Sequence, residues 1–169
     1  AETRGMSVKK KSEKTSKISL SMIDADALIT PAMDGVKVVV LLIGNSAYEH
    51  VAPLRNPKND VELIGRVMRS INDPKVIIVR DGTQKQMDDA IAQFLGLLGP
   101  GVVAIFAFAG HGLQVDGINH LVPCDYNNPS GEKALLKGTT VALQSVQERM
   151  EDKNTLVNVC IIDACRENP

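Results

Sequence analysis

The sequence predicts an α/β fold of three layers, a mostly parallel sheet with helices on both faces, and three observations carry that expectation. Short β-branched apolar runs recur, as at Val36–Ile43 and Val102–Phe108, and strands covered on both faces read this way. Between the runs lie stretches of helical spacing, opened by cap residues and closed by Gly or Pro. The alternation strand, helix, strand, helix, strand, helix, strand demands crossovers, which pair the strands in parallel.

Each element has its own signature. Val36–Ile43 is the first strand, apolar except for Lys37. Asn56-Pro57 opens a helix, with Asn as cap and Pro where its missing N–H costs nothing. Its buried stripe is expected at Val61, Ile64, Val67 and Met68. Lys75–Val79 is a second strand with its turn at Asp81-Gly82. Thr83 and Gln86 form a capping box ahead of Met87, Ile91, Phe94, Leu95 and Leu98, and Gly99-Pro100-Gly101 ends that helix. Val102–Phe108 is the third strand. Leu113–Val115 and Ile118–Val122 flank Asp116-Gly117, a hairpin signal that predicts a surface ribbon. Asp125–Gly138 reads as loop, a third helix centres on Leu143, Val146 and Met150, and Leu156–Ile162 is the fourth strand. Residues 1–35, with Lys9, Lys10, Lys11, Lys14 and Lys17 among Ser and Thr, read as a flexible tail or linker ahead of a single domain over 36–169.

Composition narrows the function classes. Nineteen Lys and Arg against twenty Asp and Glu leave a formal charge of -1 with the signs mixed, which points to no nucleic-acid partner. No apolar run approaches the roughly 20 residues that span a bilayer, and no membrane partner is expected. Cys124, Cys160 and Cys165 show no paired spacing, so reduced thiols in the cytoplasm are expected. His50 reads as a loop histidine and His120 as a surface residue of the hairpin. Neither has a ligand-spaced partner, so no metal is expected. Gly44-Asn45-Ser46 lacks the ending a phosphate loop requires.

In open parallel sheets the ligand sits at the carboxyl ends of the strands. Two of those ends carry reactive groups, Ala109-Gly110-His111-Gly112 after the third strand and Asp163-Ala164-Cys165-Arg166 after the fourth. A thiol and an imidazole on neighbouring strand ends can meet, as nucleophilic catalysis by Cys requires. The amide of Gly112 and the N–H of Cys165 could together receive a developing oxyanion, an effect worth roughly 3 kcal/mol per donor. The His lies about 50 residues upstream of the Cys, which matches a caspase signature.

These two motifs resemble those of the caspase-like peptidases, and within that superfamily the chain is similar to the paracaspases. Leu42-Ile43-Gly44-Asn45, Asn59-Asp60-Val61-Glu62-Leu63 and Asn119–Asp125 resemble paracaspase segments in the same order. The likeness covers about residues 36–169 and implies a caspase-like three-layer sandwich. It implies His111 as general acid/base, Cys165 as nucleophile and Gly112 as oxyanion donor. Asp163 and Asp60 would line the specificity pocket, and two carboxylates favour a substrate Arg over Lys. Animal caspases carry Gln at the place of Asp163 and cleave after Asp; Arg55 and Arg166 keep that alternative, and a catalytically silent interaction module is another. Metacaspases usually carry a small hydroxyl residue two before the His and a second Cys near the first helix; Ala109 and Pro57 stand there, so calcium activation has no support and no cofactor is expected. The chain stops four residues past Cys165, so a small-subunit segment is expected to complete the sheet, with a homodimer left open.

Overall fold

The structure, a computed structural model, describes residues 35–71 and 74–167, with side chains as far as Ala164. Of the expected tail, residues 1–34 lie outside the described residues. Among the described residues, six strands and four helices follow in the order β1 (Lys37–Gly44), α1 (Pro57–Arg69), β2 (Lys75–Arg80), α2 (Gln84–Leu97), β3 (Val102–Val115), β4 (Ile118–Leu121), α3 (Lys133–Gly138), β5 (Val141–Ala142), α4 (Leu143–Glu151) and β6 (Val157–Glu167).

β1 is apolar on both faces because both are covered. Val39, Leu41 and Ile43 pack with Met87, Ile91 and Phe94 of α2 and with Val146 and Met150 of α4. Val38, Val40 and Leu42 pack beneath Val61 of α1. The strand pairs in parallel with β2 on one side and β3 on the other, with Leu41 beside Ile77 and Phe106. The three layers expected from the sequence are therefore present.

The helix starts differ in how they are closed. Thr83 and Gln86 form the expected capping box, each side chain bonding the other's backbone. Asn56 sits before Pro57 but makes no side-chain cap bond. Instead the Ser46 hydroxyl accepts the Lys58 N–H at 3.1 Å, so α1 is capped from the loop after β1. The stripe of α1 also needs correction, because Val67 is exposed and Gly65 is buried in its stead. A Cβ on Gly65 would lie 2.5 Å from Ile78 Cδ1 of β2, so α1 packs with its backbone close to the sheet.

Two strands run further than their sequence signals. β3 continues through Gly110-His111-Gly112 to Val115, and β6 continues through Asp163 to Glu167. The reason is pairing. β1 accompanies β3 as far as Ala109, and β4 joins antiparallel from Gly112. On the opposite edge β6 stays in register throughout, from Val103↔Val157 to Leu113↔Glu167. Partners along both edges, unbroken on the β6 side and interrupted only by the seam between β1 and β4 on the other, suppress the turn that glycines otherwise permit.

The hairpin turn at Asp116-Gly117 has φ of 51° and 80°, both left-handed, as a two-residue hairpin with the sheet's twist requires. The ribbon is not a surface feature: Val115, His120 and Leu121 are buried. Part of the expected loop 125–138 is helix α3, whose Leu136 is wholly buried and whose Lys133 and Lys137 hold the Asp116 carboxylate at 2.8 and 3.1 Å. Six residues are too few for a helical period to register in sequence.

Candidate active site

His111 lies where one edge of β3 changes neighbours. Its carbonyl accepts the Val122 N–H at 3.0 Å, so its backbone polar groups face the β1 and β4 side. Its own N–H meets no strand carbonyl and donates to the Tyr48 hydroxyl at 2.7 Å. The imidazole packs against the Tyr48 ring, centroids 4.6 Å apart at 58°. Nε2 lies 2.8 Å from the Ala52 carbonyl. A carbonyl oxygen only accepts, so this contact places the proton of the neutral ring on Nε2 and leaves Nδ1 as the basic nitrogen.

Tyr48 and Ala52 belong to the loop between β1 and α1, and buried polar contacts hold that loop. Asn45 is wholly buried. Its Oδ1 accepts the Gly82 N–H at 2.9 Å and its Nδ2 donates to the Val122 carbonyl at 3.0 Å, which ties together the ends of β1, β2 and β4. Asp81, left-handed at φ 49°, accepts the N–H groups of Ser46 and Ala47 at 2.8 and 2.9 Å and the Lys58 ammonium at 2.9 Å. Burial raises the Asp81 carboxyl, but the Ala47 amide, Lys58 and the Ser46 amide outweigh it and hold its pKa below the ordinary value. Cys124 is buried under the same loop; burial, reinforced by the Asp81 charge, pushes its thiol up to about 12, which makes it an inert packing group.

Cys165 is the register partner of His111. Their backbones stand one strand spacing apart, about 4.8 Å. Gly112 is buried opposite Arg166. Successive residues of a strand present their polar groups to alternate edges. Since His111 faces β4, the Gly112 N–H faces β6.

Asp163 and Asp60 come together at one groove. They line one groove of about 220 Å³ with Arg55, Asn56 and Gly110. Asp60 arrives from the first turn of α1 and Asp163 from β6, two residues before the thiol. Both are exposed. Arg55 brings a positive charge to the same rim.

Sequence reading missed Tyr48 and Ala52, whose contacts span 63 and 59 residues and follow no local period. His120 was expected at the surface and is 3% exposed. The Thr140 hydroxyl donates to the Leu136 carbonyl at 2.6 Å, so it accepts from His120 Nδ1 at 2.9 Å, leaving Nε2 unprotonated and without a partner. Burial, with Lys137 nearby, lowers its pKa. Among the described residues no cluster of His, Cys, Asp and Glu is spaced to hold a metal ion, and no helix is long and apolar enough to cross a membrane.

An α/β sheet carrying a histidine and a cysteine as register partners on adjacent strands, beside an acidic groove, has the layout of a cysteine peptidase domain. Residues 37–169 match the Caspase domain, and the chain belongs to that family. It is 35% identical over 129 residues to human Mucosa-associated lymphoid tissue lymphoma translocation protein 1, covering 76% of this chain and 15% of that protein. The mouse homolog matches to the same extent. The chain thus spans 15% of the length of these relatives. The crystal structure of protein GSU0716 from Geobacter sulfurreducens shares the fold, with a TM-score of 0.52 at 16% identity over 79% of this chain and 52% of that one. The caspase-like, paracaspase-type family and the α/β class expected from the sequence are both borne out.

Proposed function

We propose that this chain is the catalytic portion of an endopeptidase that cuts peptide bonds after Arg, and less readily after Lys, through a thioester on Cys165. The observation that carries the reading is the register pairing of His111 with Cys165 beside a groove lined by Asp60 and Asp163. His111 takes the thiol proton as the sulfur attacks the scissile carbonyl, then gives it to the departing amine. Water, relieved of a proton by the same imidazole, hydrolyses the thioester and restores the thiol. The paired carboxylates favour a guanidinium and repel an acidic side chain.

The amides of Gly112 and Cys165 are the oxyanion donors in this reading. Because the Gly112 N–H faces β6, the end of β6 must part from β3 when substrate binds. A companion segment pairing with β6 is the partner this motion calls for, since Ile161 and Ile162 are exposed along that strand. A homodimer is the other arrangement that would cover it. The substrate is a peptide or protein with a basic residue at the cut, in the cytoplasm, and neither calcium nor another cofactor takes part.

Hydrolysis of an Arg-ending fluorogenic peptide, with the companion segment supplied, tests the reading. Cys165→Ala and His111→Ala are each expected to abolish turnover while the circular dichroism spectrum is kept. Turnover by either variant at the parent rate refutes the assignment. Failure of an arginine-based thiol-reactive inhibitor to label Cys165 in the completed protein would instead favour a silent interaction module. Preference for an Asp-ending peptide would transfer the specificity role to Arg55.

A further inference from the structure

We propose that Tyr48 is a positioning residue for His111, its phenol standing in for the strand neighbour that β3 lacks at this point. The effect on turnover rests on the peptidase reading; the contact itself does not. β1 leaves β3 after Ala109 and β4 joins at Gly112. At the seam, the Ala109 carbonyl takes the Asn45 N–H at 2.9 Å and the His111 carbonyl takes the Val122 N–H at 3.0 Å. The His111 N–H has neither ladder to join, and a buried amide without a partner is destabilising. The Tyr48 oxygen fills the gap at 2.7 Å, and its own proton is left for the Val122 carbonyl in a long contact of 3.4 Å.

Three further features fit the same role. The Tyr48 ring leans on the imidazole it tethers. Ala52, four residues on in the same loop, holds Nε2, so one loop fixes both the main chain and the ring of His111. Gly110 must lack a side chain, since a Cβ there would lie 2.6 Å from the Tyr48 oxygen. Burial keeps the Tyr48 hydroxyl protonated far above its ordinary range, so it stays a neutral phenol.

The hydroxyl can be separated from the ring. Tyr126 lies in the same buried cluster with the same 8% exposure as Tyr48 and serves as control. In Tyr48→Phe we expect the His111 amide to exchange with solvent about tenfold faster or more. Turnover, kcat, is expected to fall about tenfold to a hundredfold with KM held within about twofold, because the base is displaced while the groove is untouched. Tyr126→Phe should leave amide exchange and kcat as in the parent. Unchanged amide exchange in Tyr48→Phe, unchanged kcat, or equal losses in Tyr126→Phe overturn the inference. Should the parent hydrolyse no peptide, the peptidase reading fails, and amide exchange alone decides the role of Tyr48. Should Tyr48→Phe not fold, the parent still decides: a His111 amide exchanging as fast as exposed loop amides overturns the inference, and protection matching its neighbours in β3 upholds it.

Discussion

Replacement of Asn45 by Ala should be among the most damaging single changes available to this domain. Asn45 is fully buried and its side chain accepts from the Gly82 N–H and donates to the Val122 carbonyl at 2.9 and 3.0 Å, with a weaker contact to Met87 Sδ at 3.4 Å. Alanine leaves the buried Gly82 N–H without a partner and the Val122 carbonyl with only the long Tyr48 contact of 3.4 Å, at about 1–3 kcal/mol for each group. The expected loss is about 2–5 kcal/mol, out of the roughly 5–15 kcal/mol that holds a domain together. Equilibrium unfolding in urea, followed by far-UV circular dichroism, should show the midpoint lowered by about 1–2 M with the slope unchanged. Asn45→Asp is a sharper comparison, since it keeps the acceptor for Gly82 but sets an oxygen against the Val122 carbonyl; it should cost at least as much at neutral pH. A loss below about 0.5 kcal/mol for both variants would refute the reasoning, because surface-like tolerance is incompatible with a buried hub.

Further consequences can be checked in the same protein. The lowered pKa of His120 means the unfolded chain binds the proton more readily. Stability should therefore be fully present above the unfolded value of about 6.5 and decline as pH falls below it, a slope that His120→Leu should flatten. Asp163→Asn should weaken turnover of Arg-ending peptides mainly through KM, with little effect on the melting temperature because the side chain is exposed; a larger loss for a neutral peptide than for the Arg peptide would contradict the charge argument. Gly110→Ala places a Cβ 2.6 Å from the Tyr48 oxygen and 2.8 Å from Phe108 Cζ. Calorimetry should show it destabilised by about 1–3 kcal/mol, and a wild-type melting temperature would mean the loop yields more easily than the contacts imply.

The features legible in sequence were those written in local patterns. An eight-residue strand apolar but for Lys37, a capping box and an Asp-Gly hairpin each signal their element within a few residues, and all three formed as strand, helix start and hairpin. The two motifs around His111 and Cys165, and the carboxylates of Asp60 and Asp163, could be read as short words whose meeting follows from strand order. What stayed hidden depends on partners distant in the chain. The continuation of β3 through two glycines comes from β4 and β6 on its edges, and glycines alone suggest a turn. Val67 fits the helical period of α1 yet faces outward, because Gly65 brings the backbone to the sheet and turns the stripe. His120 alternates as a hairpin surface residue should, but it is buried against the Thr140 hydroxyl, which is itself held by the Leu136 carbonyl. Tyr48 and Ala52 carry no signal of their own, since their value lies wholly in what they touch across some sixty positions.

β6 is the outermost described strand on its side of the sheet, and it bears Cys165. Whatever docks against that border grips the very main chain that carries the sulfur. In the proposed peptidase, recruitment and reactivity would thus be mechanically joined: a newcomer that tugs or steadies this rim would reset the nucleophile's posture without ever entering the acidic groove.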